Sequence, residues 1–232
     1  MRFGALSFAA LALTGCATQV QEGARFATGM GGVTDVAVPV RDIVSVRFAE
    51  VVRQRFDFSC GSAALATLLR YHYDFDVGEE IAFRGMWLRG DQAAIRRVGF
   101  SLLDMKRWLA TRGLTGDGYK VTLDQIAKTG VPGIALIAVN NYRHFVVLKG
   151  VHGDEVLVGD PSAGITVMSR AKFEAAWNGI YFVLSQDQPR AKQRFNRAAQ
   201  WAAYPRAPIG TPFSDPVSQQ ALALTAPARG DI

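Results

Sequence analysis

Gln54-Arg55-Phe56-Asp57-Phe58-Ser59-Cys60-Gly61 leads into residues 60–71 (CGSAALATLLRY), a stretch rich in alanine and leucine. The apolar residues of that stretch fall on one broad face, so the spacing predicts a core-facing helix that starts at the cysteine. A glutamine stands six residues before it, and far downstream His144 heads one apolar run and Asp160 ends another. The order Gln, Cys, His, Asp supplies an oxyanion donor, a nucleophile, a base and a carboxylate to orient the base. These are the parts of a thiol hydrolase.

Outward from this helix, Ser101-Leu102-Leu103-Asp104 forms a capping box and predicts a second helix, with Leu102, Met105 and Leu109 on one face and Gly113 as its stop. Residues 122–128 (TLDQIAK) repeat the grammar, with Thr122 and Gln125 as the box and Gly130 as the stop. Beyond Pro132 come short β-rich runs at 133–139 (GIALIAV), 144–151 (HFVVLKGV), 155–159 (EVLVG) and 164–168 (GITVM), with Gly153-Asp154 as a hairpin turn. Residues 169–177 return to helix, and 179–184 (GIYFVL) close with a strand. Helices first and an antiparallel sheet after them predict an α+β fold. Residues 36–40 (VAVPV) alternate weakly around a proline and read as an edge strand or arm at the front of a catalytic domain over 35–188. Residues 41–52 fit either strand or helix.

Each candidate site residue has a chemical reason. The thiolate is the nucleophilic form of cysteine, and the first turn of a helix favours an anion because unpaired amides and the helix dipole point at it. Gly61 beside Cys60 is expected to let a substrate backbone approach closely. Gln54 offers a side-chain amide to the oxyanion that acyl transfer builds. Of the three histidines, His72 lies toward the end of the Cys60 helix, where a positive ring complements the dipole, and His152 sits at the hairpin turn. His144 heads a strand, which gives a general base rigid placement. Pairing of the two strands through Gly153-Asp154 brings Asp160 beside His144, where it can fix the tautomer and stabilise the imidazolium. Two cysteines and three scattered histidines give no metal-ligand spacing, and no phosphate or dinucleotide fingerprint is present, so no metal or cofactor is implied.

The first sixteen residues hold Arg2, an apolar run and Leu13-Thr14-Gly15-Cys16. This reads as an export signal, too short to span a bilayer as a helix. The ending resembles the bacterial lipobox. That resemblance implies cleavage before Cys16, lipidation of Cys16, and, with Ala17 next, anchoring on the periplasmic side of the outer membrane. Residues 16–34 are small and polar and read as a flexible tether. Six of the nine prolines lie from Pro189 onward, and residues 189–232 read as a basic, disordered or loosely docked tail. That tail carries Arg190, Lys192, Arg194, Arg197, Arg206 and Arg229 against Asp215 and Asp231, which accounts for most of the net charge of +6. The body is close to neutral, which argues against nucleic acid as a partner. Oligomeric state leaves no mark in the sequence.

Gln-x5-Cys-Gly opening an Ala/Leu helix, His144-Phe-Val-Val-Leu on a strand, then Gly159-Asp160-Pro161-Ser162 resembles the bacteriocin-processing, double-glycine leader peptidase family, cysteine peptidase family thirty-nine of the papain-like class. The resemblance covers residues 50–184. It implies a papain-like fold with N-terminal helices packed on a C-terminal antiparallel sheet, and a peptide or protein substrate cut after a Gly-Gly pair. It also implies Gln54 in the oxyanion hole, Cys60 as nucleophile, His144 as base and Asp160 as orienter. Ser59 stands where transporter-linked members have Asp. The chain is similar to stand-alone exported members, some of which accompany secretion or surface-amyloid systems. Gly31-Gly32 in the tether is a candidate self-processing site. Two other readings use the same residues: a cell-wall amidase or transpeptidase, and a peptide-binding adaptor or chaperone lipoprotein with an idle triad.

Overall fold

The structure, a computed structural model, describes residues 24–26, 36–38, 42–139 and 142–202; the signal, Cys16 and Gly31-Gly32 lie outside them. Strands β1 (Ala24–Phe26) and β2 (Val36–Val38) pair antiparallel with each other, Ala24 opposite Val38. They belong to a unit that ends at Asp42, separate from the unit that starts at Ile43. This departs from the expected tether over 16–34 and from a catalytic domain beginning at 35. Strand β2 falls in the run read as an edge strand or arm, whereas three residues at 24–26 are too few for alternation to show in the sequence.

The second unit opens with helices α1 (Ile43–Arg47), α2 (Cys60–Tyr73), α3 (Glu79–Trp87), α4 (Gln92–Val98) and α5 (Leu102–Ala110). Strand β3 (Gly116–Lys120) and helix α6 (Leu123–Thr129) follow, then β4 (Gly133–Val139), β5 (Tyr142–His152), β6 (Glu155–Asp160) and β7 (Gly164–Ser169). Helix α7 (Arg170–Ala176), strand β8 (Trp177–Leu184) and helices α8 (Gln188–Gln193) and α9 (Ala198–Ala202) complete it. Both expected capping boxes form, Ser101 with Asp104 and Thr122 with Gln125, and Gly130 ends α6 at φ +63°. Helices α3 and α4 escape the sequence reading because they bury few apolar residues: Ala82 and Met86 on one, Ile95 on the other. Among the described residues no helix is long and apolar enough to cross a membrane.

Six strands form one antiparallel sheet in the order β3-β8-β4-β5-β6-β7. Helices cover both faces. On one, α2, α3 and α5 bury Leu65, Leu68, Leu69 and Met105 against Ile134, Phe145, Val147 and Phe182. On the other, Leu123, Ile126 and Phe173 pack on Val146, Leu148, Val158 and Tyr181. Removing one such leucine side chain costs about 2–5 kcal/mol, so the sheet and α2 hold each other rigidly. This is the expected α+β, papain-like arrangement.

The β5–β6 hairpin contains one irregularity that bears on the site. His152 pairs with Glu155 across Gly153-Asp154, and Gly150 pairs with Leu157, but the next pair is Leu148 with Val158. Lys149 is the extra residue. Its side chain is fully buried under α2, with Nζ 3.2 Å from His72 Nε2 and 3.1 Å from the Glu50 carbonyl oxygen. Burial, outweighing the nearby Glu50 carboxylate, lowers the Lys149 pKa to about 8. His72 was expected to be a cation at a helix end. Instead it is buried, and burial followed by Lys149 pushes its pKa well below the usual histidine range, so it is a neutral acceptor.

Pairing of β4 with β5 ends at Leu148, which leaves the adjoining edge of the bulge uncovered. Asn196 takes that edge. Its amide donates to the Lys149 carbonyl at 2.7 Å, and its side-chain Nδ2 donates to the Val151 carbonyl at 2.8 Å. A Cβ on Gly150 would come 2.4 Å from Asn196 Oδ1, so the fit requires glycine. The expectation of a disordered or loosely docked tail therefore gives way over residues 189–202. There Ala191, Phe195 and Gln200 are buried, Arg190 and Arg194 pair with Asp74, and Arg197 pairs with Glu50. Three anchors so widely spaced make no sustained period in the sequence.

Candidate active site

Helix α2 begins at Cys60, as its Ala/Leu face requires. Ser59 occupies the N-cap position, but its hydroxyl does not cap the helix. It donates to buried Glu79 Oε1 at 2.6 Å, and the same oxygen accepts the Arg55 amide at 2.9 Å. Glu79, in the first turn of α3, thereby holds the loop before the cysteine and leaves the first amides of α2 without a side-chain cap. Gly61 departs from expectation. It is buried, and a Cβ there would lie 2.9 Å from Phe100 Cβ and 3.2 Å from Met105 Cε, so glycine serves the packing of α2 and not the approach of a ligand.

Cys60 is 4% exposed and is a free thiol. His144, 7% exposed on β5, points Nε2 at Asp160 Oδ1, 2.8 Å away. Its Nδ1 is buried and has no hydrogen bond of ordinary geometry, although the Cys60 thiol is near enough to act on the ring's proton. Burial lowers the proton affinity of His144, but Asp160 and Cys60 together outweigh it and raise the pKa to about 9. Burial pushes the Asp160 carboxyl up, yet His144 and Ser162 overcome this and hold it below the usual range. Asp160 Oδ1 also accepts the Ser162 amide at 2.7 Å, the Ser162 hydroxyl at 2.6 Å and the Ala163 amide at 3.2 Å. The pair is therefore an imidazolium against a carboxylate at neutral pH, with one ring nitrogen committed and the other turned toward sulfur.

Gln54 is half-buried and lines a cavity of about 580 Å³ with His144, Asp160, Ser162 and Tyr142. Its backbone amide donates to the Pro161 carbonyl at 3.0 Å, which ties the glutamine segment to the turn after Asp160. Its Nε2 donates one proton to the Phe56 carbonyl at 3.1 Å and keeps a second, while Oε1 is buried without a partner. Tyr142 crosses from β5 to this loop, its hydroxyl 2.5 Å from the Asp57 carbonyl oxygen. A larger cavity, about 720 Å³ between α3 and α5, contains none of these residues.

Cys60, His144, Asp160 and Gln54 thus come together; Cys16 lies outside the described residues. The sequence reading missed Glu79, Ser162, Tyr142, Lys149 and Asn196. A signal existed only for Ser162, two residues after Asp160, where a serine closes a turn on the carboxylate. Among the described residues no group of three or more His, Cys, Asp and Glu side chains could hold a metal ion.

The profile of the Peptidase C39 family matches residues 49–189, more than half of the chain. A Pseudomonas fluorescens protein named "Probable functional amyloid protease FapD" is 43% identical over 157 residues, 68% of this chain and 70% of that protein. The Pseudomonas aeruginosa protein of the same name is 40% identical over 145 residues, 62% of this chain and 64% of its own length. The crystal structure of the peptidase domain of Streptococcus ComA, a bifunctional ABC transporter, superposes with a TM-score of 0.50 at 21% identity, over 58% of this chain and 96% of that domain, a likeness of fold. By its residues, its fold and these relatives, the chain is a cysteine peptidase and belongs to the Peptidase C39 family.

Proposed function

We propose that this peptidase cuts exported peptides or proteins in a secretion or surface-amyloid system, using Cys60, His144, Asp160 and Gln54. The observation that carries the reading is the His144 ring, held through Nε2 by Asp160 at 2.8 Å and close enough to the Cys60 thiol at the start of α2 to be influenced by it. The Cys60 thiolate adds to the peptide carbonyl carbon. The developing oxyanion accepts hydrogen bonds from the free Gln54 Nε2 proton and the uncapped Cys60 amide. The C–N bond breaks as the His144 imidazolium gives its proton to the leaving nitrogen. Neutral His144 then takes a proton from water as the water oxygen adds to the thioester. Collapse expels the thiolate and frees the acid product.

The setting is supported by the two amyloid-protease relatives and by the signal-like start of the chain. On this reading Cys16 carries the lipid and the enzyme faces the periplasm from the outer membrane. The test incubates the purified full-length protein with the secreted amyloid subunits of its host and maps cuts by mass spectrometry. Wild type should cut at one defined bond and Cys60→Ala at none. Intact subunits with wild type, or cleavage of purified peptidoglycan instead, would sink it. Fatty-acid labelling of wild type and Cys16→Ala tests the anchor; equal labelling rejects it.

A further inference from the structure

Two cavities meet at the Cys60 thiol. One, of about 440 Å³, is walled by apolar side chains, Leu102, Leu103, Leu136 and Phe145 among them. The other, of about 500 Å³, is walled by Arg96, Arg97 and Arg143, with Asp57 and Tyr142 opposite. Around the second cavity three guanidinium groups face one carboxylate, and all four residues are exposed.

These arginines are not neutralised by a neighbouring carboxylate, as about half of the other described arginines are. Arg55, Arg84, Arg170, Arg190, Arg194 and Arg197 each reach a carboxylate, whereas Arg96, Arg97 and Arg143 form no ion pair among the described residues. Arg96 has one partner: its guanidinium lies 5.1 Å from the Trp87 ring centroid. A place in the last turn of α4 accounts for a cation at 96 or 97, because cations complement a helix C-terminus. It does not account for Arg143, which arrives from β5, next to His144, and lines both cavities. Two elements distant in sequence therefore deliver unpaired positive charge to the rim of the nucleophile.

We propose that Arg97 and Arg143, with Arg96 behind them, form a subsite for an acidic side chain, Asp or Glu, flanking the scissile bond. This rests on the reading of Cys60 as the nucleophile. A guanidinium fork fits a carboxylate in two places at once, and positive charge beside a cleft raises the local concentration of an anionic substrate. The apolar cavity on the other side of the thiol takes the uncharged part of the same peptide, so the cut falls at a boundary between acidic and apolar residues.

The test uses the full-length protein and internally quenched peptides randomised around a central bond, with Asp, Asn or Lys fixed in turn at each position on either side. Wild type should cut Asp peptides about tenfold faster than Asn peptides at one flanking position, with Lys slowest, and the preference should shrink as salt rises toward about 0.5 M. The double variant Arg97→Glu, Arg143→Glu should reverse the order of Asp and Lys, and Arg97→Gln, Arg143→Gln should flatten it. Equal rates for Asp, Asn and Lys at every position would overturn the subsite and leave the peptidase standing, as would an acidic preference that survives the charge swap. No cleavage of any peptide by protein whose thiol still alkylates would overturn the peptidase reading, and the subsite with it.

Discussion

His144 and Asp160 lie on the same face of their hairpin because Lys149, between His144 and the turn, stays out of the strand pairing. Were Lys149 paired in a regular ladder, the register set by His152 and Glu155 would place Asp160 opposite Val147, on the face away from His144. With Lys149 left out of the ladder, continuing the pair Val147–Gly159 places Asp160 opposite Val146, two residues from His144 and on its side. A shift of one residue exchanges the faces of a strand. The 2.8 Å contact between imidazole and carboxylate therefore requires that Lys149 take no place in the ladder.

Deleting Lys149 should remove the bulge yet keep Leu148 opposite Val158 and Val147 opposite Gly159, so the His144–Asp160 contact and activity should survive. Asn196→Ala, which frees the Val151 carbonyl, should cost about 1 kcal/mol of stability and lower kcat more than it changes KM. Denaturant melts and steady-state kinetics on the two variants check this. A folded deletion variant that has lost activity would reject the register argument.

The charged pair makes stability depend on pH with a definite sign. The folded pKa of His144, about 9, lies above its ordinary 6.5, so its stabilisation is fully present below about 6.5 and is lost as pH rises toward 9. The loss should be on the order of 2–3 kcal/mol, measured by chemical denaturation at intervals across that window. Asp160→Asn should remove most of the slope. Activity should decline through the same upper limit, because the leaving amine needs the imidazolium proton.

Gln54→Ala should reduce kcat by about 10²–10³, with little effect on folding, because it removes the proposed oxyanion donor. Single-turnover acylation of Cys60, followed by mass spectrometry, isolates the affected step. An unchanged acylation rate would assign the oxyanion to other donors.

Glu79→Ala should loosen the loop that carries Gln54 and Ser59. It leaves the Arg55 amide and the Ser59 hydroxyl without their acceptor, a cost of about 1–3 kcal/mol. Glu79→Gln retains an acceptor oxygen and should recover much of the lost activity. Equal behaviour of the two variants would count against this role.

Gly61→Ala should destabilise by about 1–3 kcal/mol through the clash with Phe100 and Met105. Thermal melts should show this even with no substrate present, in line with a packing glycine.

What the sequence revealed and what it hid divide along range. The start of α2 at Cys60, the boxes at Ser101 and Thr122 and the strands after Pro132 rest on neighbours within a few positions, so composition and periodicity expose them. The approach of Asp160 to His144 could be inferred from a turn at Gly153-Asp154, but the inserted residue could not. Nothing local marks which member of a strand will go unpaired. Glu79 acts on Arg55 across 24 positions and Asn196 on Val151 across 45. No pattern along the chain encodes such contacts. His72 was misjudged because a helix end looks solvated until another element buries it.

The cap on the bulge comes from a stretch that the family profile, ending at 189, does not include. Synthesis runs from the N-terminus, so the thiol and both members of the charged pair leave the ribosome before Asn196 does. A chain interrupted at the family boundary would contain every reacting group and lack the residue that closes the β5 edge beside them. The hairpin that presents His144 is thus complete only when residues beyond the family boundary have packed against its edge.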